Sequence, residues 1–389
     1  MAPLDGIKVI DLTRVLAGPF CTMLLGDMGA EIVKIEEPAS GDETRGWAPF
    51  VDGWSSYFLG VNRGKRSVAL DLKTVDGAAA LRALIRKSDV LVENFRPGSL
   101  SQLGFGPREV EVMNPALIYC SISGYGQTGP RSQEPGYDAV IQAEAGFMDV
   151  TGSPDGPPTR AGVAVTDYLA GLYAMQGILL ALLDRNRTGR GQHVDIALLD
   201  SLMSVMTLPL GILWATGRAP QRMGNAHPSV VPYETLQTAD GMVVVAVGNP
   251  RLWTQFCEAL GDASIATDPR FRTNTDRLAN RPALKAAIEA VFATLTVDEV
   301  LSRLRARQVP CGKVRTIEEA IADPQLRARQ MVLDLEVPGL GTVQNIGNPI
   351  KLSRFTARAV KGAPSLGEHT TEVLNELDSD DLSVENVTR

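Results

Sequence analysis

A single carboxylate stands where two kinds of pattern meet. In GVAVTDYLAGLYAMQGILLALL, residues 162–183, the apolar run 162–165 reads as a strand and residues from about 168 to 186 read as a long helix, with Asp167 between them. An aspartate at such a joint has two uses. It is a preferred helix N-cap, its side-chain oxygen accepting from an orphan N–H of the first turn. It is also an acid at the C-terminal end of a parallel strand, where open α/β sheets place their ligands, and a helix N-terminus favours its ionised form. An ionised carboxylate there can serve as a nucleophile that carries an acyl group. Spacing alone leaves both uses open.

Other familiar chemistries lack their residues. The opening strand–helix–strand unit has no G-x-G-x-x-G, so a dinucleotide pyrophosphate meets no glycine turn there. Gly60-Val-Asn-Arg-Gly64-Lys65 imitates a P-loop, but its glycines are too closely spaced and Arg66 stands where a magnesium-binding hydroxyl belongs. No G-x-S-x-G elbow presents a serine. His193, His227 and His369 have no metal-ligand spacing, so no metal is expected.

The elements that must position Asp167 alternate between strand and helix. KVIDL, EIVKIEEP, SVALDL, DVLVENF and ALIYCSIS read as strands; PFCTMLLGDMG, closed by Gly29, and DGAAALRALIRKS read as helices between them. HVDIALLDSLMSVM restarts as strand then helix after the TGRGQ break. This rhythm predicts a parallel sheet with right-handed crossovers in a doubly wound, Rossmann-like α/β domain. The texture changes near Gly224 and again near Pro324. VPYETLQTADGMVVVAVG predicts a hairpin around Asp240-Gly241, helices are expected over 251–260 and 277–306, and the span reads as a smaller α+β domain. The expected division is therefore 1–223 with 325–389 for the large domain and 224–324 for the small one. VPGLGTVQNIGNPIKLS reads as a further hairpin, followed by a final helix and an acidic tail.

With 389 residues, 44% hydrophobic and 21% charged, the chain has the composition of a folded globular protein large enough for two domains. A net charge of −7 argues against a nucleic-acid partner, whose phosphates call for basic excess, and is compatible with a local basic pocket for a small anion. Cys21, Cys120, Cys257 and Cys311 form no CxxC pair and are expected to be free thiols in a reducing compartment. MAPLDGIKVIDL carries Asp5 and no signal-peptide core, and the greasy stretch 196–216 is interrupted by Asp200 and Pro209. A cytoplasmic protein with no membrane partner is the expectation.

The motifs taken together resemble the class III CoA-transferases, a family that also includes the α-methylacyl-CoA racemases. The matching stretches are DLTRVLAGPFCTMLLGDMGAEIVKIE, NRGKRSVALDLK, VLVENFRPGSLSQLGF, SISGYGQTGP, PGYDAVIQAEAG, TGRGQHVDIALLDS, HPSVVPYETLQTADGMVVVAVGN and GEHTTEVL, in order and nearly end to end. On this resemblance Asp167, in VTDYLAG, falls on the family's active aspartate. The racemases pair that aspartate with a histidine directly before the Asp of PGYD, where this chain has Tyr137. A neutral tyrosine, with an unperturbed pKa of about 10, is a poor proton shuttle near pH 7. The substitution argues for CoA transfer, with 2-methylacyl-CoA racemisation and a catalytically idle CoA-binding protein as the alternatives.

The resemblance implies more. Coenzyme A would be a substrate rather than a bound cofactor, touched by Val15 and Ala17 in the first loop, Leu70 and Lys73 in ALDLK, and Asn94, Phe95 and Arg96 in ENFRPG. Tyr57 and Tyr137 would line the acyl and acceptor site, with Arg45 and Trp47 at its edge. Two arginine positions of the family are occupied here by Glu37 and Gln102, so Arg14, Lys34 and Arg131 are the available substitutes. The glycine-rich loop of the formyl and oxalate members reads VGNPRLW, with Pro250 stiffening it, which argues against oxalate. The pattern is more similar to members that handle dicarboxylates such as succinate, glutarate, malate or mesaconate. Two chains are expected to interlock as linked rings in a homodimer.

Overall fold

The computed structural model describes residues 2–355 and 361–377; the acidic tail expected at 378–389 lies outside them. The chain forms two units, one of Met1–Phe147, Ala161–Thr207 and Pro324–Arg389, the other of Met148–Arg160 and Leu208–Asp323.

In the first unit the apolar runs become six strands: β1 (Lys8–Asp11), β2 (Glu31–Glu36), β3 (Arg66–Ala69), β4 (Val90–Glu93), β5 (Ile118–Ser123) and β6 (His193–Ala197). All neighbours run parallel, in the order β3-β2-β1-β4-β5-β6, with Ile10 beside Val33 on one flank and Leu91 on the other. Strands buried on both faces need no polar alternation, and β1 and β4 have none apart from Lys8 at the exposed start of β1 and the final acids. Val9, Val92 and Cys120 pack against helices α1 (Ala17–Asp27) and α4 (Val165–Thr188) on one face. Ile10, Leu91 and Tyr119 pack against α2 (Val75–Arg86) on the other. Between α2 and α4 lies the short helix α3 (Asp138–Glu144).

Two expectations need correction. Residues 162–164 join no strand, and Gly162 and Val163 are exposed; α4 begins at Val165, so Asp167 is its third residue and Ala164 is the N-cap. The β-branched residues enter a helix because the stripe Ala170, Ala174, Ile178 and Ala181 continues their burial at helical spacing, and tertiary packing overrides local strand preference. Gly171 is needed there, since a Cβ would stand 2.6 Å from the carbonyl oxygen of Ala17. The helix closes on Gly189 in the left-handed conformation (φ 71°).

In the second unit β7 (Tyr233–Gln237) and β8 (Met242–Ala246) pair antiparallel as the Asp240-Gly241 hairpin predicts, with Met242 opposite Gln237, and β9 (Cys311–Lys313) joins β8. The expected helix over 277–306 is three helices, Asn274–Ala279, Arg281–Phe292 and Val297–Ala306. Pro282 opens the second, and a capping box between Thr296 and Glu299 opens the third. Asn249 caps Pro250–Leu260 by accepting from Leu252 N at 2.9 Å, so VGNPRLW is a helix start rather than a glycine loop.

Also in the first unit, Val332–Val337 and Gly341–Ile346 form the expected hairpin. The helix α5 (Thr370–Asn375) follows. Its entry covers the edge of β3: His369 N donates to Ser67 O at 2.9 Å and Ala69 N donates to Thr370 Oγ1 at 2.9 Å.

Candidate active site

In a parallel sheet the chain order reverses beside β1, and the loops leaving the strand ends on either side open a crevice. Here that crevice is a cavity of about 290 Å³. The loop after β1 contributes Arg14 to Ala17, the loop after β4 contributes Asn94 to Pro97, and the ends of β5 and β6 contribute Ser123, Gly124 and Leu198. Asp167, from the first turn of α4, and Tyr137, from the N-cap of α3, complete the wall.

The first loop is held in a conformation it would not choose. Val15 has φ 70°, a left-handed backbone that a β-branched side chain disfavours. The side chain of Asn94 braces the preceding peptide, accepting from Arg14 N at 2.9 Å and donating to Arg14 O at 2.7 Å. Val15 N donates to Asp42 Oδ1 at 3.3 Å. Below the loop lies a buried ionic cluster. Asp11 accepts from Lys65 Nζ at 2.9 Å, from Thr13 N at 2.9 Å and from Thr22 Oγ1 at 2.7 Å. Lys34 Nζ donates to Thr13 O at 2.7 Å and pairs with Asp42 at 3.0 Å. Burial works against the Asp11 charge, but Lys65, Lys34 and the hydroxyl of Thr13 overcome it and hold the carboxyl well below the usual range. Lys34 is thus fully committed and unavailable to a ligand, and the P-loop imitation is structural. Arg63 pairs with Asp27 at 2.6 Å while Lys65 serves Asp11.

Asp167 does not cap its own helix. Thr166 N donates instead to Asp138 Oδ1 at 3.0 Å. The expectation that the helix N-terminus keeps Asp167 readily ionised also needs correction: burial, with the Asp138 charge second, pushes its pKa up to about 7. Removal from water outweighs the helix dipole, whose effect is modest and confined to the first turn. The result is a carboxyl poised near neutrality, where a small electrostatic change decides its state.

A second cavity, of about 340 Å³, runs over the ends of β1, β2 and β3 and is lined by Leu70, Lys73, Glu37 and Ser99. Arg14, Glu43 and Phe95 line both cavities, and the Arg14 guanidinium lies 5.0 Å from the Phe95 ring centroid. Of the positions expected to meet the coenzyme, Val15, Ala17, Asn94, Phe95 and Arg96 surround the first cavity and Leu70 and Lys73 the second. The cations on these walls that could meet phosphate are Arg14, Arg96 and Lys73; Arg14 also stands 4.0 Å from the Glu43 carboxylate. Arg131 is held by Glu134 at 2.6 Å and by Glu144 at 2.5 Å.

Tyr57 lies outside both cavities, half-exposed, in an edge-to-face contact with Trp47 at 5.7 Å. Arg45 does not edge either cavity with a free charge. It forms a bidentate pair with Glu36 at 2.7 Å and stacks on Phe58 at 3.7 Å. Among the described residues no cluster of His, Cys, Asp or Glu could hold a metal ion.

Sequence reasoning missed three things. The bracing by Asn94 and the cap by Asp138 span 80 and 28 residues, beyond any local signal. The third, the close approach of Gly124 and Gly136, left a trace in two glycines. A Cβ on Gly136 would meet Gly124 Cα at 2.6 Å, and only bare backbones let the end of β5 come so near the segment carrying Tyr137.

Comparisons with known proteins show which family the chain resembles along its length. The CoA-transferase family III model matches residues 4–370. The chain is 42% identical to the succinate–glutarate CoA-transferase of Agrobacterium fabrum, over 97% of its own length and 96% of that protein. It is 40% identical to the succinyl-CoA:glutarate CoA-transferase of Mus musculus, over 97% and 87%, and 44% identical to the acetyl-CoA:oxalate CoA-transferase of Acetobacter aceti, over 94% and 93%. The crystal structure of a CAIB/BAIF family protein from Brucella suis superposes with a TM-score of 0.87 at 41% identity, covering 97% of this chain and 100% of that one.

Proposed function

Because the chain belongs to CoA-transferase family III, we propose that it moves coenzyme A from succinyl-CoA, or a similar dicarboxylyl-CoA, to a free carboxylic acid, with Asp167 as the nucleophile. The observation that carries this reading is the meeting of Asp167 and Tyr137 on one cavity wall with Arg14, Val15, Ala17 and Asn94–Arg96 at the strand ends. An acyl thioester whose phosphates sit toward Arg14, Arg96 and Lys73 would bring its reacting carbon near Asp167.

The chemistry balances without an outside proton. An Asp167 oxygen attacks the donor carbonyl, the C–S bond breaks, and CoA thiolate leaves behind a mixed anhydride. The thiolate attacks the Asp167 acyl carbon, the C–O bond breaks, and the donor departs as a carboxylate, leaving an aspartyl-CoA thioester. The acceptor carboxylate attacks that thioester to give a second anhydride and thiolate. Attack of the thiolate on the acceptor carbon yields the new acyl-CoA and restores Asp167. Carrying the acyl group on the protein keeps the thioester energy that hydrolysis would dissipate. Each tetrahedral intermediate needs fixed donors for its oxyanion, and the first-turn N–H groups of α1 begin on the cavity wall at Leu16 and Ala17.

The reading includes a dicarboxylic acceptor, supported by the relatives named for glutarate; the relative named for oxalate, at 44% identity, runs against the expectation that Pro250 argues against that acid. It also includes a Rossmann-like large domain and an interlocked homodimer. The strand order supports the first. Exposed Leu172, Leu180 and Leu183 on α4, and Leu208 and Trp214 in the second unit, support self-association.

The test is incubation in D2O with succinyl-CoA, a chiral 2-methylacyl-CoA and a pool of free acids, read by mass spectrometry. New acyl-CoA species without α-deuterium are expected. Deuterium at the α-carbon with no new thioester would mean racemisation and overturn the reading. Loss of transfer in Asp167→Ala with CoA binding retained is the second expected result.

A further inference from the structure

We propose that Asp138 is a positioning residue for Asp167, capping from a neighbouring helix the turn on which the nucleophile stands and fixing it against Tyr137. The inference rests on the reading of Asp167 as nucleophile.

The first N–H groups of a helix have no partner within it, and the residue at the N-cap ordinarily supplies one. Ala164 has no side-chain acceptor and makes no cap bond. Asp138 supplies the missing acceptor across 28 residues, taking Thr166 N at 3.0 Å on Oδ1. Its other oxygen accepts from Gln142 Nε2 at 2.8 Å, and Gln142 Oε1 accepts from Ala161 N at 2.8 Å. One turn of α3 therefore grips both ends of the segment 161–166, immediately before Asp167. Asp138 is 8% exposed, and Gln142 and Thr166 are fully buried, so water does not compete for these bonds.

The same turn carries Tyr137, which precedes Asp138 and lines the cavity. A shift of α3 would move Tyr137 and release Asp167 together. Asp138 also places a negative charge beside Asp167, adding to the effect of burial on its proton affinity. The other charged or titratable groups lining the same cavity are Arg14, Arg96, Glu43, Glu134 and the phenol of Tyr137, and the Tyr168 phenol feels the Asp167 charge. Asp138→Asn keeps an acceptor for Thr166 N–H, removes the charge and turns an amide NH2 toward Gln142 Nε2, so the link to Gln142 is lost. Asp138→Ala removes both.

The experiment follows kcat, KM and the pH dependence of kcat/KM for wild type, Asp138→Asn, Asp138→Ala and Asp167→Asn, with succinyl-CoA and glutarate between pH 5 and 9. Covalent adducts are read by intact mass. Asp138→Ala is expected to lose about 100-fold in kcat, with KM for the thioester changed less than about 3-fold, because misplacement by 1 Å costs on that order. Asp138→Asn is expected to fold, to lose about 10-fold in kcat through the broken Gln142 link, and to move the acid limb of kcat/KM down by about half a pH unit or more, since removal of a like charge lowers the pKa of the remaining acid. Wild-type kcat in Asp138→Asn, which breaks the Gln142 link, would overturn the positioning role even if Asp138→Ala does not fold; the acid limb reports the charge alone. Turnover retained by Asp167→Asn would overturn the nucleophile itself, a distinct failure.

Discussion

Asn94 holds Arg14 from both sides, accepting from its backbone N–H at 2.9 Å and donating to its carbonyl oxygen at 2.7 Å. The pair ties the end of β4 to the loop after β1, and the strained Val15 follows directly. A residue expected to touch the coenzyme thus spends its side chain on the wall of the cavity, leaving backbone and neighbours to face the ligand.

Asn94→Ala should therefore weaken acyl-CoA binding through the loop. Two lost hydrogen bonds at a partly solvated site cost roughly 1–2 kcal/mol of stability. Val15 is expected to relax from its positive φ, and KM for the thioester to rise more than kcat falls. Steady-state kinetics with a thermal melt check both halves.

Asp167→Asn should abolish transfer and stabilise the protein in alkali. The sign follows from the raised pKa: a carboxyl shifted up from 3.8 to about 7 favours the fold when protonated, and that contribution is lost as pH rises through 7. The asparagine is neutral throughout, so its advantage over wild type should be absent near pH 4 and reach roughly 1–3 kcal/mol at pH 8. Melting curves at the two pH values measure it.

Lys65→Met should be severely destabilising, by roughly 3–5 kcal/mol, because it leaves the buried Asp11 without its closest cation. Adding Asp11→Asn should recover part of the loss. A double-mutant cycle by urea denaturation gives the coupling directly, and strict additivity of the two losses would contradict the pairing.

Gly136→Ala should push the Tyr137 segment away from β5, since its new methyl group would overlap Gly124 Cα. Overpacking of this kind costs roughly 1–3 kcal/mol. The expected signature is a fall in kcat with the second cavity, and hence thioester affinity, less affected.

Arg14→Ala should raise KM for acyl-CoA by about 10-fold, as for a lost charge-assisted contact, and flatten its dependence on salt. Titration with desulfo-CoA at two ionic strengths checks this without turnover.

Much of the fold was legible because its strands are short β-branched runs bounded by helices, a pattern that periodicity reads well. The β7–β8 hairpin followed from Asp240-Gly241, and the TGRGQ break followed the end of α4 closely. The start of α4 was not legible. Val163 and Val165 carry strand preference; the helix begins at Val165 because its face is buried further along and a distant carboxylate, Asp138, takes the Thr166 N–H. For the site, the motifs identified the right loops but not the duties of each side chain. Lys34, a free cation in the sequence, is sealed under the first loop, and Arg45 is paired with Glu36. Both partnerships depend on which strand ends the sheet order brings together, and a linear sequence carries no local record of that.

The covering of β3 by residues 367–376 bears on how the chain is made. Ser67 meets His369, and Arg66 pairs with Glu372 at 2.9 Å and Glu376 at 2.6 Å, across some 300 positions of sequence. During translation the sheet edge emerges long before its cover, and the whole second unit is synthesised in between. A ribosome-bound intermediate therefore presents an open parallel edge beside completed strands, a surface suited to recruiting a chaperone or a neighbouring nascent chain.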